Sequence, residues 1–354
     1  MLFIASLLGL AAITATAFVG ADEDDFAEDD SGADATAQQT APSSTPDLLT
    51  EAIGAVPRAD DTPIDDTPAT DPVQEAGPGG APGWLIVEGS DDAEPLTGGA
   101  QDEMIHARDG DDTVTAGAGD DEVRGGAGAD LLRGGEGADT LHGGEGDDRL
   151  GGEAGADRLF GHTGSDSLSG GAGDDSLVGS AGNDRLEGGE GDDALHGDLD
   201  DDRLRGGAGQ DTLFGGHGND TLIGADPETT PEGAAADGAD YLNGGGGADV
   251  ILAGGGDIVT TGSGGDSVVL GDWLNAAHQA EILDFSAAED MLMVVYDQTG
   301  PEPEITLEPD AEHPEDQRLL LDGVEIARIA DAAGLTLDHV ALIPQGDLTA
   351  IAAR

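Results

Sequence analysis

The chain has 354 residues, a formal net charge of −64 from 76 acidic against 12 basic residues, and no Cys; every basic residue is Arg. Like-charge repulsion on this scale excludes nucleic acid as a partner and argues against an anionic membrane surface. The missing Cys removes any disulfide framework, and aromatics at 3% are too few for an ordinary core of this length.

Residues 1–20 (MLFIASLLGLAAITATAFVG) are apolar throughout and about long enough to span a bilayer. They read either as a cleaved signal or as a membrane anchor. The signal reading has Val19-Gly20-Ala21 as a small-residue cleavage site but no basic n-region beyond the Met1 amine. The anchor reading puts the acidic run Asp22 to Asp30 outside, and without Lys or Arg nearby the positive-inside rule does not decide. Membrane contact is expected through these residues alone. Residues 21–83 are acidic and rich in Pro, Thr and Ala, too polar to bury a core, and are expected to form a disordered linker. Trp84-Leu85-Ile86-Val87 predicts a first strand that plugs the open end of the fold.

From Gly89 to Ile223 one nine-residue unit recurs, GGxGxDxLx in its clean form, as in 125–133 (GGAGADLLR), 143–151 (GGEGDDRLG) and 215–223 (GGHGNDTLI). A fixed short period marks a repeat architecture. The sixth position is Asp in thirteen unbroken copies: Asp112, Asp121, Asp130, Asp139, Asp148, Asp157, Asp166, Asp175, Asp184, Asp193, Asp202, Asp211 and Asp220. The eighth is Val114 or Val123, then Leu from Leu132 to Leu222. Positions 7 to 9 predict a short strand with one apolar side chain inward; positions 1 to 6 turn the chain, with glycines supplying positive φ.

Strand, turn, strand, turn gives a flattened spiral with two repeats per coil, so alternate repeats stack. Asp112 then stacks on Asp130, Asp148, Asp166, Asp184, Asp202 and Asp220 along one edge, and Asp121 on Asp139, Asp157, Asp175, Asp193 and Asp211 along the other. Coils about 4.8 Å apart make each edge a ladder of carboxylates. Like charges that close repel, and a cation between rungs relieves them. One Val or Leu per nine residues is also a thin core against the ordering entropy of a Gly-rich chain, so something else must bind the folded state. Carboxylates and turn carbonyls are hard oxygens that suit Ca²⁺, with its flexible shell, better than Mg²⁺; Zn²⁺ prefers Cys and His.

The run resembles the RTX family (repeats-in-toxin, haemolysin-type calcium-binding nonapeptide repeats), whose consensus Gly-Gly-x-Gly-x-Asp-x-large apolar-x folds as a parallel β-roll. The resemblance implies an all-β chain, with a calcium-binding roll over residues 84–270. It places each Ca²⁺ between successive turns on one edge, held by the sixth-position Asp and turn carbonyls. Counting gaps between rungs gives about eleven ions in the regular region. Repeat 98–106, with Gln101 and Glu103, and repeat 89–97, with Glu94 and Pro95, read as opening coils with weak or no metal. Asp200 replaces Gly in 197–205 and leaves that turn's geometry open. After Gly224 an insertion (ADPETTPEG) interrupts the spiral, which resumes with Asp240, Asp249, Asp257 and Asp266 as further metal-ligand candidates.

From residue 271 ordinary β patterns take over: Glu281 to Phe285, Asp290 to Tyr296, Ile305 to Leu307 and Arg318 to Leu321, then a hairpin turn at Asp322-Gly323 leading into Val324 to Ala327. This block resembles the C-terminal region of many RTX proteins, notably in the DF…D.L motif at Asp284, Phe285, Asp290 and Leu292. The resemblance implies that residues 271–354 cap the roll and end in an uncleaved signal for a type I exporter, here Asp347 to Arg354 (DLTAIAAR). Such an exporter would compete with residues 1–20 as the exit route.

No HExxH, GxSxG or phosphate-binding Gly-rich loop occurs, and no catalytic residue is assigned. His106, His142 and His196 share the ninth repeat position, two and three coils apart, roughly 10 and 14 Å, too far for one metal. They, with His162 and His217 in turns, read as solvated imidazoles. Fifth-position Asp111, Asp120, Asp147, Asp174, Asp192 and Asp201 read as added negative potential. The function expected is a secreted or surface-tethered, non-enzymatic Ca²⁺-binding roll that folds on binding the ion, with a structural or adhesive role. A cell-surface or matrix glycan is its candidate partner besides calcium. The alternatives are the calcium-binding region of an extracellular polysaccharide-modifying enzyme and a passive Ca²⁺ buffer.

Overall fold

Inward positions 8 and 1 alternate with outward positions 7, 9 and 2, the period of two that makes a strand. The computed structural model carries this alternation over six residues. Strands such as Leu131–Glu136, Thr140–Glu145 and Ser167–Ala172 start at position 7 and run through position 3 of the next repeat. The sequence predicts only three residues, because its glycines read as turn. They stay in the sheet because pairing resumes after a gap of one residue: Ser169 pairs with Glu187, then Gly171 and Ala172 with Gly189 and Glu190. The turns shrink to positions 4 to 6.

The structure describes residues 84–224, 238–271, 273–296, 300–332 and 334–344, all within one of the chain's two units, Thr45–Arg354. The leader or anchor, the acidic linker, the insertion and the secretion-signal reading at the C-terminus lie outside the described residues. Among the described residues no helix is long and apolar enough to cross a membrane.

Successive strands alternate between a 14-stranded and a 12-stranded sheet, and within the roll each strand pairs in parallel with the strands one coil before and after. The register aligns like with like. Leu132, Leu150, Leu168 and Leu186 form one column, and Leu141, Leu159, Leu177 and Leu195 another on the facing sheet. These leucines are at most 2% exposed and join a single core; each contributes roughly 1.5–3 kcal/mol. The columns run on past the insertion. Leu213 pairs with Leu242 and Leu222 with Ile251, a step of 29 residues where the regular coil takes 18.

At the C-terminal end Ala280–Ile282 and Met291–Tyr296 extend the two sheets in parallel. The longer sheet then turns antiparallel through Ile305–Pro309, Gln317–Leu321 and Val324–Ile329. Asp322 and Gly323 both take positive φ, 50° and 78°, as a tight two-residue hairpin requires. At the N-terminal end Leu85–Glu88 forms the expected strand against Glu103–Asp109. It does not plug the roll: Trp84 is 43% and Ile86 51% exposed, because alternation turns only Leu85 and Val87 toward the core side.

Candidate metal centre

The period places every sixth-position Asp at the same point of its turn, and the structure joins them edge by edge. The backbone N–H of each Asp donates to Oδ1 of the Asp one coil on. Asp112 donates to Asp130, Asp130 to Asp148, Asp148 to Asp166, Asp166 to Asp184, Asp184 to Asp202 and Asp202 to Asp220, each at 2.8 Å. The row continues through Asp249, Asp266 and Asp290 at 2.8–3.1 Å. On the opposite edge Asp121, Asp139, Asp157, Asp175, Asp193, Asp211, Asp240 and Asp257 are joined in the same way at 2.8–3.0 Å.

All seventeen candidate aspartates are 1–3% exposed. Oδ1 is satisfied, but Oδ2 of every Asp in the unbroken run, and of Asp249 and Asp266, is buried without a hydrogen-bond partner. A buried orphan oxygen is costly, and a row of them on carboxylates more so. Proton affinity rises in consequence. Burial, opposed by the backbone N–H and reinforced by neighbouring carboxylates, pushes Asp139, Asp148, Asp175, Asp184, Asp193 and Asp249 up to about 7 and Asp202 to about 8. Asp121, Asp130, Asp166, Asp211, Asp220 and Asp266 reach about 6. Burial likewise raises Asp112 and Asp157. The protein alone does not supply what these charges need.

The first-position glycine shows where the orphan oxygens point. A Cβ on Gly143 would stand 2.3 Å from Asp148 Oδ2 and 2.9 Å from the Gly161 carbonyl oxygen of the next coil; on Gly188 it would stand 2.3 Å from Asp193 Oδ2 and 2.6 Å from the Gly206 oxygen. These glycines are not at positive φ. They are small because a carboxylate oxygen and a carbonyl oxygen converge on the space a side chain would fill. Positive φ, read from the sequence for all the turn glycines, belongs to positions 2 and 4, as at Gly144 (129°) and Gly146 (124°).

The donor set is therefore one hard carboxylate oxygen per rung beside backbone carbonyls, the ligand type that Ca²⁺ takes.

Some placements depart from the sequence reading. Asp257 ends its edge with Oδ2 accepting the Gly254 N–H at 2.5 Å, so it is satisfied without an ion. Asp290 is the last rung of the other edge: its oxygens accept the N–H groups of Asp266 and Ser286 and the Thr261 hydroxyl. Asp284 beside it accepts from Thr261 and Gly262. The DF…D.L motif thus closes the roll. Glu103, read as a lapse in the pattern, is 1% exposed with Oε2 orphaned, and its N–H starts the second ladder on Asp121. Asp200 keeps the regular turn by adopting φ 74°.

Fifth-position acids also have a structural part. Asp111, Asp120, Asp147 and Asp192 accept the N–H one coil later, from Ala129, Ala138, Ser165 and Gln210 at 2.8–2.9 Å. His142, His162 and His196 are not separate solvated rings: His142 Nδ1 lies 3.0 Å from His162 Nε2 and stacks on Phe160, and His196 stacks on Phe214; His217 is exposed. Position 2 of one coil sits beside position 9 of the coil before, a neighbour that counting along one column does not show. His106 pairs with Glu88 at 3.2 Å.

These features define a parallel β-roll whose turns present oxygen donors for metal in two rows. A family model for the RTX calcium-binding nonapeptide repeat matches residues 97–132, 124–159, 133–168, 160–195, 169–204, 196–226 and 235–268, most of these matches overlapping. Residues 97–268 are accordingly an RTX repeat region, and the roll binds multiple Ca²⁺ ions. No curated protein matches the chain.

Proposed function

We propose that this is a secreted or surface-tethered protein whose roll folds when Ca²⁺ binds and then serves a structural or adhesive role, without catalysis. The observation that carries the reading is the row of buried, unpartnered Oδ2 atoms on both edges. Sixth-position aspartates Asp112 to Asp220, with Asp240, Asp249 and Asp266, would hold the ions through Oδ2, beside first-position carbonyls such as those of Gly161 and Gly206. Bound Ca²⁺ supplies the positive charge that lets those carboxylates stay ionised inside the roll. At low cytosolic Ca²⁺ the carboxylates repel and the chain stays expanded, a form suited to export; at millimolar Ca²⁺ outside, sites with affinities on the order of 10⁻⁴–10⁻³ M fill and the coils close. Export by a type I exporter and tethering through residues 1–20 complete the reading.

The test is circular dichroism of the purified full chain in chelator and during Ca²⁺ titration, with fractionation of culture medium from membranes. A sheet spectrum that develops with Ca²⁺ supports folding on binding. The same sheet spectrum in both solutions would leave a passive buffer, and retention in the cytosol would remove the extracellular role.

A further inference from the structure

Two imidazoles meet on the outer face of the 14-stranded sheet. His142 is the ninth residue of its repeat, on the strand Thr140–Glu145; His162 is the second residue of a later repeat, on Arg158–Thr163. The parallel register sets Phe160 against His142 and His162 against Gly144. His142 Nδ1 stands 3.0 Å from His162 Nε2, with the rings 18° from parallel. Phe160 stacks on His142 at 4.8 Å between centroids and holds the half-buried ring in place. Beside the pair, Gly126 and Gly144 leave the second-position column bare. A hollow of about 340 Å³ opens there between His142, His162 and Arg124, room for an ion and several waters at about 30 Å³ each. The Arg124 guanidinium is paired with Glu122, so its charge is answered locally.

We propose that His142 and His162 together bind a divalent transition-metal ion, Cu²⁺ foremost, on the outside of the roll. A chain of net charge −64 draws cations of every kind, and the donor atoms decide which stay. Ca²⁺ takes oxygen ligands, so the imidazole pair does not compete with the aspartate rows. Imidazole suits Zn²⁺, Ni²⁺ and Cu²⁺, and a given set of donors holds Cu²⁺ tightest. Two imidazole nitrogens on one ion, at about 2.0–2.1 Å each and about 90–109° apart, stand about 2.8–3.4 Å from each other. The observed 3.0 Å falls inside that range. His162 is exposed, and the torsion that turns its ring is soft, so its lone pair can be brought onto the same ion as that of His142. Waters in the hollow complete the shell. Bound there, the ion ties two adjacent coils together from outside, apart from the calcium rows at the turns.

The test uses the untagged full chain in excess Ca²⁺, shown folded by circular dichroism, titrated with Cu²⁺ and followed by electron paramagnetic resonance. Expected is a first equivalent of Cu²⁺ whose spectrum carries coupling from two nitrogens, displaced by an excess of Zn²⁺ and indifferent to further Ca²⁺. H142Q and H162Q should each weaken that equivalent by about tenfold or more, since even an outer-shell partner of a metal ligand is worth about 10–100-fold in affinity. H196Q, whose ring stacks on Phe214, should bind Cu²⁺ as the wild type does. All three variants should keep the wild-type Ca²⁺ titration, because these side chains point away from the core. A first equivalent bound through one nitrogen or none, its displacement by Ca²⁺, or unchanged affinity in H142Q or H162Q would overturn the assignment. The two rings would then be joined by a hydrogen bond alone, with calcium-dependent folding left intact. A chain that does not fold with Ca²⁺ would remove the roll and this site with it.

Discussion

Replacing Asp148 with Asn should stabilise the metal-free chain and lose part of that advantage once calcium is supplied. The substitution keeps the shape and the Oδ1 acceptor for the Asp130 N–H at 2.8 Å, and replaces orphan Oδ2 with an amide. In chelator at pH 7.4 the wild-type carboxyl, held at about 7 against an ordinary 3.8, makes folding costly. The cost reaches at most about 4 kcal/mol, at 1.36 kcal/mol per pH unit. Asn avoids it, so the metal-free variant should melt higher than wild type. In Ca²⁺ at tenfold the site's dissociation constant, each site adds about 1.4 kcal/mol to the folded state. Asn withdraws a charged ligand from that site, so in Ca²⁺ its advantage over wild type should shrink by about 1.4 kcal/mol for each site lost. The assay is thermal melting by circular dichroism of the full chain in chelator and in millimolar Ca²⁺. An equal upward shift in both solutions would refute the idea that Oδ2 is an ion ligand in an otherwise unfavourable burial.

The ladder's raised carboxyls also give a pH dependence. Groups whose folded values lie above 3.8 favour folding fully below 3.8, and the contribution disappears as pH rises through about 6 to 8. In chelator, sheet content should therefore grow as pH falls from 8 to 5; a flat far-ultraviolet spectrum over that window would contradict it. Leu177→Ala, at a fully buried mid-roll position, should cost about 2–5 kcal/mol in the Ca²⁺-loaded melt. Leu96→Ala, near the open end and 7% exposed, should cost less; equal losses would contradict nearest-neighbour stability. Asp200→Gly should stabilise the loaded roll by about 0.5–1 kcal/mol by relieving φ 74°, seen as a higher melting midpoint.

The period alone makes the architecture legible, because a unit of nine with one inward Leu leaves few ways to stack. The Leu columns and the two Asp rows as far as Asp211 and Asp220 come from counting; that Asp240 continues one row and Asp249 the other comes from the structure. What counting misses depends on atoms between coils. Gly143 looks like any turn glycine until Asp148 Oδ2 and the Gly161 carbonyl are seen to need its empty side. Fifth-position Asp111 looks like surplus charge until the Ala129 N–H is found on it. His162 reads as a turn residue, yet the step of one coil plus two residues brings it to His142. Glu103 and Asp290 lie where the consensus fails, so the pattern hides two rungs that the backbone still fills.

The step at the insertion carries a practical consequence. Leu213 meets Leu242 as squarely as Leu195 meets Leu213, although eleven more residues, 29 less 18, separate the first pair. The scaffold thus keeps its phase by column and disregards how much polypeptide is spliced in at an edge. A foreign peptide grafted at that same bend should ride on the assembled roll as cargo, exhibited when calcium is supplied and released into a slack chain when it is withdrawn.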